Sequence, residues 1–522
     1  MQSAPRKAAV PAFFRNKTIE SYAARASTPI SLRHMINFGQ AGRTKGEREE
    51  ADKLIKGGNF LRTELPIRLS HRLQDLNSLP FVIASHPRIE RVMELYLEAF
   101  EGIRKFPLLK DLDDNDRFCQ FMQGTLDKHR VVIPELAIGV SETSPLHLPA
   151  AALDRIMLRM LRSRISRRVI TEQHIALTSQ FRERQRKGKG RAVDLGEEEE
   201  SRVGVVDTRL NAADVVRKCG ELIKALGGPE GNVPIEIEGN TEQTFAYLSE
   251  HLEFMLFELI KNAAFSTVAA HGAEAAASHP ILVSIIHGPR NLTIRVSDQG
   301  GGIPPYGGLP PDPADMTFNP LFPHTPIAAP LSAQRLDIFS FSHMRRYYQH
   351  HAALAAAAST TISPHGVNLS DPAAQQSAPE SPPPSTAAIP PYIPSTTPPG
   401  SSPAPRGIAA LRSLPHLTGT VAEQIERHRL RTASLPSSSS SSSPSPTSSP
   451  ALSTTPTTPA DPSRNELISA QMRSGIGLPL ARLYAEYFQS TVEDVPGSLE
   501  IMTLQGYGSD GLLRLPKFGL AK

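Results

Sequence analysis

The sequence predicts an α+β protein: an N-terminal helical bundle, then an α/β domain that is split by a long insertion. Three observations carry this reading. Residues 18–185 place apolar side chains at helical spacing, with no alternating β-pattern between them. Residues 203–305 and 472–522 mix short β-patterned runs with helical ones. Between them, residues 353–463 are mostly Pro, Ser, Thr and Ala and include an unbroken Ser437–Ser443. Such a segment cannot bury enough apolar surface to offset its ordering entropy, so it is expected to stay disordered.

Taken in order, residues 1–17 contain Arg6, Lys7, Arg15 and Lys17 and no acidic residue. That composition fits a short mitochondrial presequence, and equally an ordinary basic terminus. In the helical region, the run from Ile89 to Phe100 and the run from Ala151 to Arg168 show apolar residues on one helical face. Several histidines lie here, including His71, His86 and His174. A phosphoacceptor role for His71 stands beside a structural one. Residues 186–202 read as a linker, since Arg184, Arg186, Lys187, Lys189 and Arg191 give way to Glu197–Glu200. The net charge is +4 over 522 residues, which leaves no nucleic-acid footprint. Two cysteines far apart, Cys119 and Cys219, make neither a disulfide framework nor a metal site. No apolar run reaches membrane-spanning length.

In the α/β region, strands are predicted at 203–208, 234–238, 281–287 and 292–297, with a helix at 211–226. A last helix at 478–489 and a closing hairpin at 498–515 follow the insertion. The run Phe254 to Val268 contains no Pro or Gly and reads as a helix. On it, Glu258 and Asn262 share one stripe with residue 265. Leu256, Ile260, Ala263 and Thr267 form the opposite, packing stripe. A carboxylate and a carboxamide projecting together suit a general base beside a metal-ligating amide oxygen. Asp298 ends a strand and is followed by Gly300, Gly301 and Gly302, where a backbone can approach a ligand closely. Ser474-Gly475-Ile476-Gly477-Leu478 is a glycine-rich turn that opens a helix, so its N–H groups and dipole can face phosphates.

The ordered set Glu258-Leu259-Ile260-Lys261-Asn262-Ala263, Asp298-Gln299-Gly300-Gly301-Gly302, Gly475-Ile476-Gly477-Leu478-Pro479 and Gly506-Tyr507-Gly508-Ser509-Asp510 resembles a known ATP-binding domain. Histidine kinases, heat-shock-90 chaperones, MutL and type II topoisomerases share it (the GHKL type). Within that superfamily the chain resembles the mitochondrial kinases of 2-oxoacid dehydrogenase complexes, pyruvate and branched-chain alike. Pro29 to Gly39, Glu64 to Arg72, Ser78-Leu79-Pro80-Phe81, Arg164 to Arg168 and Glu172-Gln173-His174 carry the closer match. It covers roughly residues 18–352 and 464–522, so the ATP-binding domain divides into 203–352 and 464–522 around the 353–463 insertion.

The resemblance implies a mixed sheet with helices on one face and a lid between Pro304 and Gly475, which here is very long. It also implies Glu258 as general base, Asn262 as the Mg2+ ligand and Asp298 as acceptor from the adenine amino group. Gly300, Gly302, Gly475, Ile476, Gly477 and Leu478 would lie against ATP, and Ser509 stands where relatives carry a Thr near the adenine. Lys261 reads either as a phosphate neutraliser or as a solvated lysine. The implied activity is MgATP-dependent phosphorylation of a serine on the E1 α subunit of the pyruvate dehydrogenase complex, without a phosphohistidine. The kinase would work in the mitochondrial matrix, dimeric and docked on the lipoyl domain of E2. Three alternatives stay open: the branched-chain complex as target, a histidine kinase or ATPase, and a non-catalytic relative. Two positions depart from the family pattern. Phe265 replaces an arginine on the Asn262 stripe, and Arg473 replaces a glycine before Gly475.

Overall fold

The computed structural model describes residues 12–43, 46–144, 146–188, 201–225, 228–303, 317–319, 322–327, 337–343, 345–346, 349, 477–488 and 497–517. Eight helices come first: α1 (Ala12–Ala23), α2 (Leu32–Arg43), α3 (Glu47–Asn77), α4 (Phe81–Ala84), α5 (Pro87–Lys105), α6 (Leu112–Lys128), α7 (Val132–Ser141) and α8 (Ala150–Gly188). Their ends and faces follow from the sequence. Asp111 caps α6 by accepting from the Asp114 amide at 2.7 Å, and Pro87 opens α5, where a missing N–H costs nothing. Along α5, Ile89, Val92, Tyr96, Ala99, Phe100 and Ile103 are buried, which is the helical stripe read from the sequence. α8 runs to Gly188, so residues 186–188 belong to this helix rather than to a linker. Residues 1–11, 189–200 and 350–476 lie outside the described residues, and with them the first eleven residues of the presequence, most of the linker and the whole 353–463 insertion.

The second half has two sheets. The five-stranded sheet is ordered β3 (Ile235–Gly239), β5 (Ile281–His287), β6 (Asn291–Ser297), β10 (Gly508–Pro516), β9 (Ser498–Leu504). β3 and β5 are parallel and the other pairs antiparallel, so the sheet is mixed. Ile281, Val283, Ile285, Leu292, Ile294, Val296, Leu513 and Leu515 alternate inward and are buried, whereas Ile286 and Arg295 on the other face are exposed. The buried face packs under helices α9 (Ala212–Ala225), α10 (Ser249–Ala275) and α11 (Gly477–Tyr487). Leu256, Ile260, Ala263 and Thr267 form the buried stripe of α10. The helix turns out longer than the apolar run that announced it, and breaks at Gly272, where φ is 81°.

A smaller sheet is ordered β1 (Arg202–Val203), β2 (Val206–Asn211), β4 (Thr244–Leu248). The single strand expected at 203–208 is thus a tight hairpin, because Gly204 takes φ 65° and turns the chain between Val203 and Val206. β4 was not anticipated, although Phe245 and Tyr247 are β-favouring residues and both are buried. A short antiparallel pair, β7 (Thr317–Asn319) and β8 (Phe322–Ile327), lies apart from both sheets. One continuous apolar cluster joins the helical half to the α/β half. Among the described residues, no helix is long and apolar enough to cross a membrane.

Candidate active site

The strand order brings distant motifs together. Antiparallel pairing sets Ser297, the last residue of β6, opposite Asp510 in β10, so Asp298 and Ser509 become neighbours. The Asp298 amide donates to the Ser509 carbonyl at 2.9 Å, and the Ser509 amide donates to Asp298 Oδ1 at 3.3 Å. The Gly300 amide adds a second hydrogen bond to Oδ1, at 2.8 Å. Burial pushes the Asp298 carboxyl above the usual carboxylate range, against the pull of these amides.

The glycines after Asp298 are there for two different reasons. A Cβ on Gly300 would lie 2.4 Å from Ser266 Oγ, so the loop sits directly on α10. Gly301 and Gly302 take φ of 80° and 76°, the left-handed region that favours glycine. The loop is then tied to the hairpin: Ile303 N donates to Thr503 Oγ1 at 2.7 Å, and Gly506 N to the Gly301 carbonyl at 2.8 Å.

Above this floor stands α10. Glu258 and Lys261 are both almost wholly buried, with Nζ 2.7 Å from Oε2. Lys261 also lies 5.3 Å from the centre of the Phe257 ring. The solvated alternative for Lys261 does not hold: it is buried, and its Nζ lies against the Glu258 carboxylate. Its charge offsets that of Glu258, which makes burial of both tolerable. The first residue of α11 closes the arrangement. A Cβ on Gly477 would come 2.0 Å from Glu258 Oε2, so only glycine lets the helix N-terminus meet the carboxylate.

Glu258, Asn262, Asp298, Gly300, Gly302, Gly477, Leu478 and Ser509 all line one cavity of about 330 Å3. The Asn262 side chain makes no hydrogen bond among the described residues. Phe265 is in the wall as well, one turn from Asn262. Gly475, Ile476 and Arg473 lie outside the described residues. Sequence reasoning missed Ser266, Ile338 and His343 as lining residues. No motif in the sequence marks His343. A larger cavity, about 1050 Å3 between α9 and β3, contains none of these residues.

All three histidines singled out in the bundle are engaged structurally. His174 Nε2 meets Asn115 Oδ1 at 2.9 Å, and burial pushes its imidazole down to about 4. His71 Nε2 lies 3.0 Å from each of the Ala23 and Arg25 carbonyls, so that nitrogen is a donor. His86 Nε2 faces Glu142 at 3.1 Å.

Residues 29–207 match the family model described as mitochondrial branched-chain alpha-ketoacid dehydrogenase kinase. Among curated proteins, the chain is 30% identical over 288 residues to the mitochondrial pyruvate dehydrogenase (acetyl-transferring) kinase of Arabidopsis thaliana, covering 54% of this chain and 72% of that one. The chain belongs to the mitochondrial 2-oxoacid dehydrogenase kinase family. It is also 28% identical over 298 residues to pyruvate dehydrogenase (acetyl-transferring) kinase 2 of Saccharomyces cerevisiae, 56% of this chain and 58% of that protein's length. Isozyme 3 of the Mus musculus kinase is 26% identical over 302 residues, 55% and 68% of the two chains. Members of this 2-oxoacid dehydrogenase kinase family bear protein-kinase names, so ATP is the ligand against which the cavity is weighed.

Proposed function

We propose that the chain is a MgATP-dependent protein kinase that phosphorylates a serine on the E1 α subunit of the pyruvate dehydrogenase complex, in the mitochondrial matrix. The observation that carries this reading is the Glu258 carboxylate set against the N-terminus of α11, in the same cavity as Asn262 and Asp298. In a GHKL-type reading, the cavity has two poles. Asp298, fixed by the Gly300 and Ser509 amides, accepts from the adenine amino group. The α11 N-terminus, with Gly477 and Leu478, presents unsatisfied N–H groups and a positive dipole end to the phosphates. Gly475 and Ile476 immediately precede it in the sequence. Glu258 takes the proton from the attacking serine hydroxyl, and the serine oxygen forms the new bond to the γ-phosphorus as ADP leaves. Lys261 fixes the carboxylate through the 2.7 Å contact. Catalysis is then mainly positioning and electrostatics, as in phosphoryl transfer generally.

A magnesium ion fits the donor set. Among the described residues, no three His, Cys, Asp or Glu side chains form a metal site of their own. Asn262 offers one amide oxygen beside the phosphate pole, which suits a cation held mostly by phosphate oxygens and water. When bound, that ion offsets the phosphate charge.

In the helical half, Met35, Phe38, Phe60, Leu61, Ile170 and Leu177 line an apolar cavity of about 660 Å3 between α2, α3 and α8. A long apolar arm such as the lipoyl group of E2 is the kind of ligand it suits, which supports docking on the E2 lipoyl domain by a homodimeric kinase. The interval from 304 to 476, with its insertion, takes the place of the nucleotide lid.

The test is to incubate the purified chain with MgATP and each E1/E2 pair, then map the phosphate. Acid-stable phosphoserine on pyruvate dehydrogenase E1 is the expected outcome. Preference for the branched-chain E1, the reading favoured by the family-model match over 29–207, would change the substrate. Acid-labile phosphohistidine, or no transfer, would overturn the reading.

A further inference from the structure

The cavity is walled on one side by a short strap, described at residues 337–343, 345, 346 and 349, whose other side grips the helical half. Ile338 and His343 face the cavity. Phe341 is buried in the core, and the Phe339 ring lies 5.0 Å from the Arg482 guanidinium on α11. Between them, Ser342 is clamped by Asp154 near the start of α8: its amide donates to Oδ1 and its hydroxyl to Oδ2, each at 2.8 Å. Arg345 donates to the Leu148 carbonyl at 2.7 Å, and Gln349 to the Ser141 and Thr143 carbonyls at 3.2 Å. On the helical half, the strap is anchored on the end of α7, the segment that joins α7 to α8 and the first turns of α8, while Phe339 holds it against α11.

His343 is an unusual group to place there. Glu258 and Asp298 make the described cavity wall acidic, and Lys261 is taken up by Glu258. His343 is the one basic side chain among the described lining residues. Its Nδ1 is buried without a hydrogen-bond partner. Buried polar atoms are nearly always satisfied, so an orphan on a residue that lines the cavity is a partner for a ligand atom once the ring turns toward the cavity.

We propose that Asp154 is a positioning residue for nucleotide binding: it clamps Ser342 so that His343 presents Nδ1 to the bound nucleotide. The helical half thereby acts on the nucleotide site through the Asp154 carboxylate, beside the backbone ties to Arg345 and Gln349. The inference rests on the kinase reading of the cavity.

The experiment measures MgADP binding to the full chain by calorimetry, with the nucleotide-free melting temperature of each variant as control. Asp154→Ala and His343→Ala are each expected to weaken binding roughly tenfold, within the usual range of site-to-site coupling. The double variant should bind no worse than either single one, because both remove the same contact. Asp154→Asn, which still accepts from the Ser342 amide, should bind nearly as the natural chain does. His343→Asn places an amide nitrogen near the Nδ1 position and should bind better than His343→Gln. Unchanged affinity in Asp154→Ala, even with a lowered melting temperature, would overturn the proposal, and so would additive effects in the double variant. Failure of the natural chain to bind MgADP would sink both this inference and the kinase reading, whereas normal binding with indifferent variants sinks the inference alone.

Discussion

Glu258 and Lys261 make the site's chemistry inseparable from its stability. Removing one member of a buried pair leaves an uncompensated charge, at a cost of about 3–5 kcal/mol. Glu258→Gln is therefore expected to lower serine phosphorylation about 10²–10⁴-fold while MgADP binding stays nearly intact, and also to lower the melting temperature. Adding Lys261→Met should restore most of the stability and none of the activity. Near-natural turnover in Glu258→Gln would remove this carboxylate from the mechanism. Gly477 is the second single-residue test. Its φ is not in the left-handed region, so the demand for glycine comes from the Glu258 oxygen 2.0 Å from a would-be Cβ. Gly477→Ala should push that carboxylate aside, cost about 1–3 kcal/mol by overpacking and lower kcat/KM at least tenfold. An alanine variant with unaltered kinetics would show that Glu258 has room the structure does not give it.

At the scale of elements, what the sequence made legible was periodicity, and what it hid was partnership. α5, β5, β6 and the closing hairpin could be read because each buries one face at its own period, and α10 because its apolar run holds no Pro or Gly and is buried nearly all round. The eight lining residues named in advance came from four motifs that only strand pairing and helix packing join. The misses share a cause. Lys261 reads as surface because lysine usually is, and only the carboxylate one turn earlier reverses that. The β1–β2 hairpin turns on Gly204, a position that two residues of strand pattern on either side conceal. The strap owes its place to Asp154, nearly two hundred residues away. Gln173 on α8 shows the same kind of hidden tie. Its amide donates to the Met35 and Val203 carbonyls, at 3.3 and 3.2 Å, and accepts from Val205 N at 2.8 Å. Gln173→Leu keeps the shape and strands three backbone groups, so urea unfolding should show a loss of about 1–3 kcal/mol. An unchanged midpoint would mean that these groups find other partners.

For the whole molecule, the buried histidines set how stability should vary with pH. Burial holds His129 and His251 down to about 3, and His174 and His343 down to about 4. In the unfolded chain each returns to the ordinary value near 6.5. Between about pH 4 and 6.5 the unfolded state therefore binds more protons than the folded one, and stability rises with pH across that window. Glu172 works in the other sense. Burial raises it to about 7, so between about 4.5 and 7 the folded state keeps a proton that the unfolded carboxylate releases, and stability falls as pH rises. Four imidazoles outweigh Glu172 and the likewise raised Asp298 carboxyl, so the melting temperature should climb from pH 5 to pH 6.5 and flatten above it. His251 is the residue on which to test the cause. Its ring centre is 4.3 Å from that of Tyr484, and its Nδ1 is buried without a partner. His251→Phe keeps the aromatic packing and removes both the orphaned nitrogen and one proton-binding group of the unfolded chain. The variant should melt higher than the natural chain at pH 5 and show a shallower slope up to pH 6.5. A slope as steep as the natural one would mean that His251 does not carry this dependence, and a melting temperature that falls from pH 5 to 6.5 in the natural chain would reverse the balance of these groups.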